Sequence, residues 1–310
     1  MLSRIAESCY WIGHLTERAD YTARLLDVHY HNLLQSHPSE SQRLSQHLAY
    51  VMGVDEDVKF TNVEDAMNYI GFDCDFPGSI ASSISNLAMN AKAVQDTIPT
   101  ELFEVIYSTN KSLEEKIENH KTSVHSLYKW VRDRTMQIHG VIDASLVRDD
   151  CYHFLNIGRC IERIDMTARM VSIRCAMGQD ASAWITMLRS CGAFEGYMRV
   201  SGDLGDTNSL IEFLLRNTTF PRSILSSASN ALSSVQSLSE DPTLNNDFSN
   251  ERDPRFILGR FCAEIEFTSI DDVAKNLDEE LNKLSHAANA ISNSISTTYF
   301  QVSNAINWRQ

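Results

Sequence analysis

The chain has 310 residues, of which 43% are hydrophobic and 22% charged, with a formal net charge of -14 and an isoelectric point near 5.1. That length is enough to bury about three quarters of the unfolded surface, the composition excludes a disordered chain, and the acidic balance argues against nucleic acid or an anionic membrane as partner. Only 12 Gly and 6 Pro interrupt it, so long helices are expected and the predicted fold class is all-α.

In chain order, the first helix is predicted from Ser3 to His31, where Ile5, Ile12, Ala19 and Leu26 recur every seven residues beside Trp11 and Ala23. This is an amphipathic stripe interrupted only by Gly13. A helix is expected around Arg43 to Met52, and another opened by the capping box Thr61-x-x-Glu64. A further one follows FPGS (Phe76 to Ser79), with Pro77 in its first turn and Pro99 as its stop. Helices around Leu102 to Ile117 and Val124 to Val147 complete the first half.

The second half follows the same order. Asp150 to Met177 reads as one helix, followed by Ser182 to Arg199 and Ser209 to Arg216. Then FPRSILSSASN (Phe220 to Asn230) matches FPGSIASSISN (Phe76 to Asn86) in eight of eleven positions at an offset of 144. A polar, proline-containing loop is expected from Ser234 to Arg255, and the last helices from Phe256 to Phe267 and Ile270 to Phe300.

The strongest repeat lies inside the two opening helices. GHLTERADYTAR (Gly13 to Arg24) and GRCIERIDMTAR (Gly158 to Arg169) share Gly-x-x-x-Glu-Arg-x-Asp-x-Thr-Ala-Arg at an offset of 145. Two matches at nearly one offset predict a tandem duplication, with halves 1–147 and 148–310. The predicted architecture is a helical bundle of two such halves sharing a core.

On a helical wheel Gly13, Glu17, Asp20 and Arg24 fall on one stripe, as do Gly158, Glu162, Asp165 and Arg169. A solvated face would explain the charges, since exposed ion pairs contribute only about 0.3–0.5 kcal/mol. It would not explain the glycines, each costing roughly 1 kcal/mol against Ala inside a helix. Repeated glycine predicts a close backbone approach, with the two motif helices crossing so that Gly13 and Gly158 lie within roughly 10 Å. The candidate site is therefore a polar seam of Gly13, Glu17, Arg18, Asp20, Arg24, Gly158, Glu162, Arg163, Asp165 and Arg169, where carboxylates of one motif meet guanidiniums of the other.

The residues leave two uses of the seam open. Buried ion pairs tolerate little substitution, because an unpartnered charge costs several kcal/mol, and that alone explains strict repetition. Alternatively, Arg18, Arg24, Arg163 and Arg169 hold a carboxylate or phosphate while Glu17 and Glu162 serve as bases or metal ligands. Glu-x-x-Asp departs from the Glu-x-x-His of di-metal bundles, so no metal or cofactor is expected. His29 and His31 are expected at the surface, and Trp11, Trp130 and Trp184 in the core or at an interface. The seven cysteines, Cys9, Cys74, Cys151, Cys160, Cys175, Cys191 and Cys262, contain no C-x-x-C pair. They predict reduced thiols, with Cys9, Cys151 and Cys160 as buried small side chains. With no membrane-length apolar run or apolar leader, a cytoplasmic protein is expected.

The opening MLSRIAESCYWIGHLTERADYTARLLDVH resembles the amino terminus of the bacterial alpha-E family. Similar stretches follow at MLRSCGAFEGYMR (Met187 to Arg199), FLLRNTTFPRSI (Phe213 to Ile224) and LGRFCAEIEFTSIDDV (Leu258 to Val273). The resemblance spans the chain in order. It implies an all-helical protein, with Glu17 and Arg18 as the family's Glu-Arg pair and Glu162 and Arg163 as the internal copy. It also implies a role beside a circularly permuted ATP-grasp ligase, with a transglutaminase-like peptidase as a further partner, in forming or modifying a peptide or amide bond. His14 departs from the Arg that many members carry after the glycine.

Three functional readings follow. The first is an auxiliary helical protein binding the ligase or its peptide product through the seam. The second is an enzyme using the Glu/Arg groove for acid-base work on a small amide or peptide. The third is a structural homo-oligomer without a ligand. Exposure of Glu17 and Arg163 discriminates among them.

Overall fold

The computed structural model describes residues 1–35, 45–46, 48–55, 57–119, 124–177, 181–204, 206–238 and 252–300. Among them the regular structure is entirely helical. The elements are α1 (Ser3–Gln35), α2 (Val63–Phe72), α3 (Ile80–Ala93), α4 (Thr100–Asn119), α5 (Val124–Ser145) and α6 (Asp150–Met177). They continue with α7 (Ala181–Ser190), α8 (Phe194–Ser201), α9 (Thr207–Arg216), α10 (Ile224–Leu238), α11 (Pro254–Phe267), α12 (Ile270–Lys275) and α13 (Leu277–Tyr299). Between Arg43 and Met52, residues 45–46 and 48–51 are helical, and 43, 44 and 47 lie outside the described residues.

Local chemistry sets the helix ends. The α2 cap is Asn62, whose side-chain oxygen accepts the Asp65 N–H at 2.8 Å. Thr61, the expected cap, sits one residue earlier and donates its hydroxyl to the Asp65 carboxylate. Asparagine is the better cap, so the helix starts one residue later than the box predicts. In FPGS the Ser79 N–H bonds to the Phe76 carbonyl at 3.0 Å, and Ser79 Oγ accepts from Ser82 N at 2.9 Å. Pro77 thus belongs to the turn before α3 and not to its first turn. FPRS repeats this arrangement: Ser223 N bonds to Phe220 O at 3.0 Å, and Ser223 Oγ accepts from Ser226 N at 3.1 Å. Pro99 does not stop α3, which ends at Ala93. It opens α4 instead, where its carbonyl accepts from Leu102 N and Phe103 N.

Two predicted helices are broken. The apolar periodicity from Ser182 to Arg199 is interrupted at Gly192, whose φ of 63° terminates α7. The stretch from Ile270 to Phe300 divides at Asn276, where φ is -121° and ψ 36°. The expected loop after Ser234 is shorter at both ends: α10 runs to Leu238, and Asp253 caps α11 with Pro254 in its first turn. Residues 239–251 lie outside the described part.

The chain forms two compact units, neither a contiguous stretch of sequence. The first takes Met1–His14, Val147–Ala168 and the described part of Ala193–Arg309. Here α10 packs on α11, α11 on α13 and α9 on α12. Its core includes Tyr10, Ile12, Leu155, Ile164, Leu214, Leu258 and Ile291. The second takes the described parts of Leu15–Leu146 and Arg169–Gly192, with α2, α3, α4 and α5 packed in succession. Its core includes Leu26, Ile70, Ile84, Ile106, Tyr128 and Leu188. Of the α1 stripe, Ile12, Ala19 and Leu26 are fully buried and Ile5 half-buried.

Two expectations about single residues are overturned. Cys9 and Cys151 are joined in a disulfide, with Cα atoms 5.6 Å apart. The reduced-thiol expectation fails for this pair because helix packing brings together residues that sequence spacing keeps 142 apart. Both sulfurs are buried, as is Cys160. His29 is buried too, because α1 is enclosed on more than its apolar stripe. The His31 side chain lies outside the described residues. Trp184 is buried, and Trp11 and Trp130 are half-buried. Among the described residues no helix is long and apolar enough to cross a membrane.

Candidate functional site

In the first unit the amino-terminal parts of α1 and α6 cross with their backbones in contact. A Cβ built on Gly13 would overlap the Leu155 carbonyl oxygen, with the carbonyl carbon at 2.9 Å and Arg159 N at 3.1 Å. A Cβ on Gly158 would overlap the Tyr10 carbonyl oxygen, with its carbon at 2.9 Å and His14 N at 3.2 Å. The contact is reciprocal, Tyr10 standing to Leu155 as Gly13 stands to Gly158. The glycines are therefore steric requirements of the crossing.

Glu162 lies at this crossing, 1% exposed. Its Oε2 is 2.9 Å from Nε2 of His14 on the other motif helix. His14 stacks on Tyr10 at 5.6 Å and meets Trp11 edge-on at 4.9 Å. Its Nδ1 is buried without a hydrogen-bond partner. A carboxylate withdrawn this far from water needs a partner, and the imidazole supplies one. Arg163 is half-buried and donates from Nη1 to the Pro221 carbonyl at 3.4 Å. Thr167 Oγ1 donates to the Arg222 carbonyl at 3.2 Å. Both bonds tie the motif to the FPRS turn that caps α10. Asp165 is buried.

In the second unit Glu17 is fully buried, and its Oε2 lies 3.0 Å from Nε2 of His139 on α5. Asp20, 1% exposed, receives Arg24 Nε at 2.8 Å and the Thr135 hydroxyl at 3.2 Å. Arg18 is half-buried. Asp20 and Arg24 form an i,i+4 ion pair within one motif, set in an interior where losing one partner costs more than at a surface.

The two motif arginines in this unit lie against left-handed glycines. A Cβ on Gly192 would sit 3.2 Å from Arg24 Nη1, and one on Gly53, with φ 78°, would sit 3.7 Å from Arg169 Nη1. Arg169 Nη1 also donates to the Val51 carbonyl at 2.5 Å. Each guanidinium thus packs where a helix ends in a glycine turn, and Arg169 satisfies a carbonyl left over there.

The structure brings Gly13, Gly158 and Glu162 to one crossing, and gathers Glu17, Asp20 and Arg24 around α5. Each motif glutamate lies against a histidine, Glu162 against His14 of the other motif and Glu17 against His139 of α5. His139 and Thr135 carried no sequence signal, standing 122 and 115 positions from their partners. His14 did carry one, as the basic residue after glycine matching Arg159 in the second motif. Among the described residues no group of three or more His, Cys, Asp or Glu is placed to hold a metal ion.

These features define a helical protein organised around repeated, buried Glu-Arg segments. Residues 1–300 match the Alpha-E family, a predicted alpha-helical domain with a conserved ER motif, and the chain belongs to that family. It is also similar to uncharacterized proteins of Mycobacterium tuberculosis and Mycobacterium bovis, at 23% identity over 250 residues. These matches cover 72% of this chain and 28% of each relative, so the chain spans less than a third of their length. No solved structure matches it.

Proposed function

We propose that this chain is an auxiliary, non-catalytic helical component of a system that forms or modifies a peptide or amide bond, working beside a circularly permuted ATP-grasp ligase. A transglutaminase-like peptidase is the further partner in this reading. The Glu-Arg seam holds the fold, and the ligase or its peptide product is met by other surfaces. The burial of Glu17 and Glu162, each against a histidine, carries the reading. A general base must reach the proton it abstracts, and these carboxylates are enclosed. The length of the mycobacterial relatives outside the match supports a module that acts beside other chain regions.

The test is to combine the protein with a circularly permuted ATP-grasp ligase encoded beside it, supply ATP and candidate amine and carboxylate substrates, and follow ADP release and product mass. The expected result is no turnover by the protein alone, altered turnover by the ligase in its presence, and the same alteration with a folded Glu17→Gln variant. Turnover by the protein alone that disappears in folded Glu17→Gln would establish the enzymatic reading instead.

A further inference from the structure

The disulfide of Cys9 on α1 with Cys151 on α6 lies inside the first unit, one helical turn before the crossing on both helices. Gly13 stands four residues after Cys9, and Leu155, whose carbonyl it meets, stands four residues after Cys151. Neither cysteine has accessible surface. A disulfide buried in this way is closed to thiols, because exchange needs a thiolate to reach one of the two sulfurs. On the Cys151 side the seal is a single helical turn.

Cys151 is the second residue of α6, and every residue from Val147 to Asp150 is exposed, Val147 at 72%. The first four N–H groups of a helix have no acceptor within it, so this turn depends on its cap. Asp149 supplies the cap, its carboxylate accepting from Tyr152 N at 3.3 Å and its carbonyl from His153 N at 3.1 Å. The Met1 ammonium also reaches the exposed Asp150 carboxylate at 3.4 Å, and an ion pair this near solvent adds little. Beyond the first turn the helix is held differently, with Phe154, Leu155 and Ile157 buried and Gly158 against the Tyr10 carbonyl. A capped first turn beside exposed chain opens at lower free energy than the core it adjoins. Its opening uncovers Cys151 and leaves the crossing in place.

We propose that the disulfide of Cys9 with Cys151 is a redox latch on the helix crossing, released by small thiols of the glutathione class through opening of the first turn of α6. A thiolate attacks Cys151 Sγ, the bond between the two cysteines breaks, and Cys9 leaves as a thiolate that takes a proton from water. A second small thiolate attacks the small-thiol sulfur of the mixed disulfide, releasing Cys151, which is protonated in turn, and forming the oxidised small disulfide. Two small thiols are oxidised and one protein disulfide is reduced. The oxidised small disulfide runs the same exchange backwards. With the latch released, the crossing rests on the reciprocal glycine contact and on Glu162 with His14. The proposal is independent of the ligase reading, since it concerns the isolated protein.

The full chain, purified without reductant, is treated with reduced glutathione in native buffer, and the disulfide is followed by quenched alkylation and peptide mass. Alkylation of Cys160, a buried thiol on α6, in a parallel sample without reductant reports unfolding of the unit. Reduction is expected to hold its rate as urea is raised below the unfolding transition, while Cys160 alkylation accelerates. Asp149→Ala is expected to speed reduction about fivefold, the usual effect of losing a helix cap. Asp206→Ala removes the cap of α9 in the same unit and is expected to leave the rate of reduction unchanged. Oxidised glutathione is expected to restore the bond in the folded protein. Equal acceleration by the two substitutions, or reduction rising with urea in step with Cys160, would mean exchange through unfolding of the whole unit and overturns the proposal. So does reduction as fast as that of an exposed peptide disulfide, failure to re-form, or recovery of both cysteines as thiols from the protein treated with oxidised glutathione. If Asp149→Ala does not fold, the urea comparison on wild type decides.

Discussion

Replacing Gly13 by Ala tests the crossing, because its sign opposes the usual expectation. Alanine in place of a helical glycine ordinarily stabilises by about 0.5–1 kcal/mol. At Gly13 the new methyl meets backbone of another helix, with the Leu155 carbonyl carbon at 2.9 Å where about 3.5–4 Å is the comfortable distance. No rotamer relieves this, and the overlap with the Leu155 carbonyl oxygen is tighter still, so the helices must separate by about 1 Å or more, a gap that forfeits roughly half of each affected contact. Such overpacking costs about 1–3 kcal/mol, and backbone contact on both sides of the methyl places Gly13→Ala toward the upper end. The expected melting temperature falls by about 2–4 °C per kcal/mol for a unit of 150–250 residues. Gly140→Ala and Gly259→Ala are the controls, since a Cβ at either meets nothing within 4 Å. Both should hold or raise stability. Urea denaturation of the four proteins, followed by helical circular dichroism, decides the matter. Gly13→Ala as stable as Gly140→Ala would refute the close crossing.

Reduction of the disulfide joining Cys9 and Cys151 should lower stability, because the link closes a loop of more than a hundred residues. The chain-entropy model puts that contribution at about 5 kcal/mol; unfolding with and without reductant measures it, and a Cys9→Ser, Cys151→Ser variant indifferent to reductant confirms its origin. Asp206 caps α9 through the Ser209 N–H at 2.8 Å, and that backbone hydrogen bond, joined by one from the Ser209 side chain, holds its carboxyl below the ordinary range. Since the folded pKa is depressed, the stabilisation is present above the unfolded carboxyl pKa and is lost as pH falls through the folded one. Asp206→Ala should therefore be less stable than wild type at pH 7, and the gap should narrow as the solution becomes strongly acidic in pH-resolved denaturation curves.

Periodicity carried most of the helical layout, and α6 falls on Asp150–Met177 as read from the sequence. Where it failed, a local backbone state had no periodic signature: Gly192 adopts positive φ inside an apolar pattern, and Asn276 breaks what reads as one helix. The seam was legible in its glycines, because a helical glycine repeated on one stripe has few reasons other than close approach. Its partners were not legible. His139 and Thr135 reach α1 only through the packing of α5, and no spacing rule connects residues so far apart. The pairing of Cys9 with Cys151 was missed for the same reason.

The reciprocal contact of Gly13 with the Leu155 carbonyl and Gly158 with the Tyr10 carbonyl has the pattern of an isologous interface, a surface that recognises its own counterpart. In this chain the two sides are tethered, so they meet at an effective concentration fixed by the connecting segment and by the disulfide of Cys9 with Cys151, independent of dilution. Cutting the backbone between Ser145 and Asp150 and reducing the disulfide that joins Cys9 to Cys151 would turn the same contact into a bimolecular association. Its stability would then follow mass action, and the covalent link there acts as a standing concentration of one motif helix in the presence of the other.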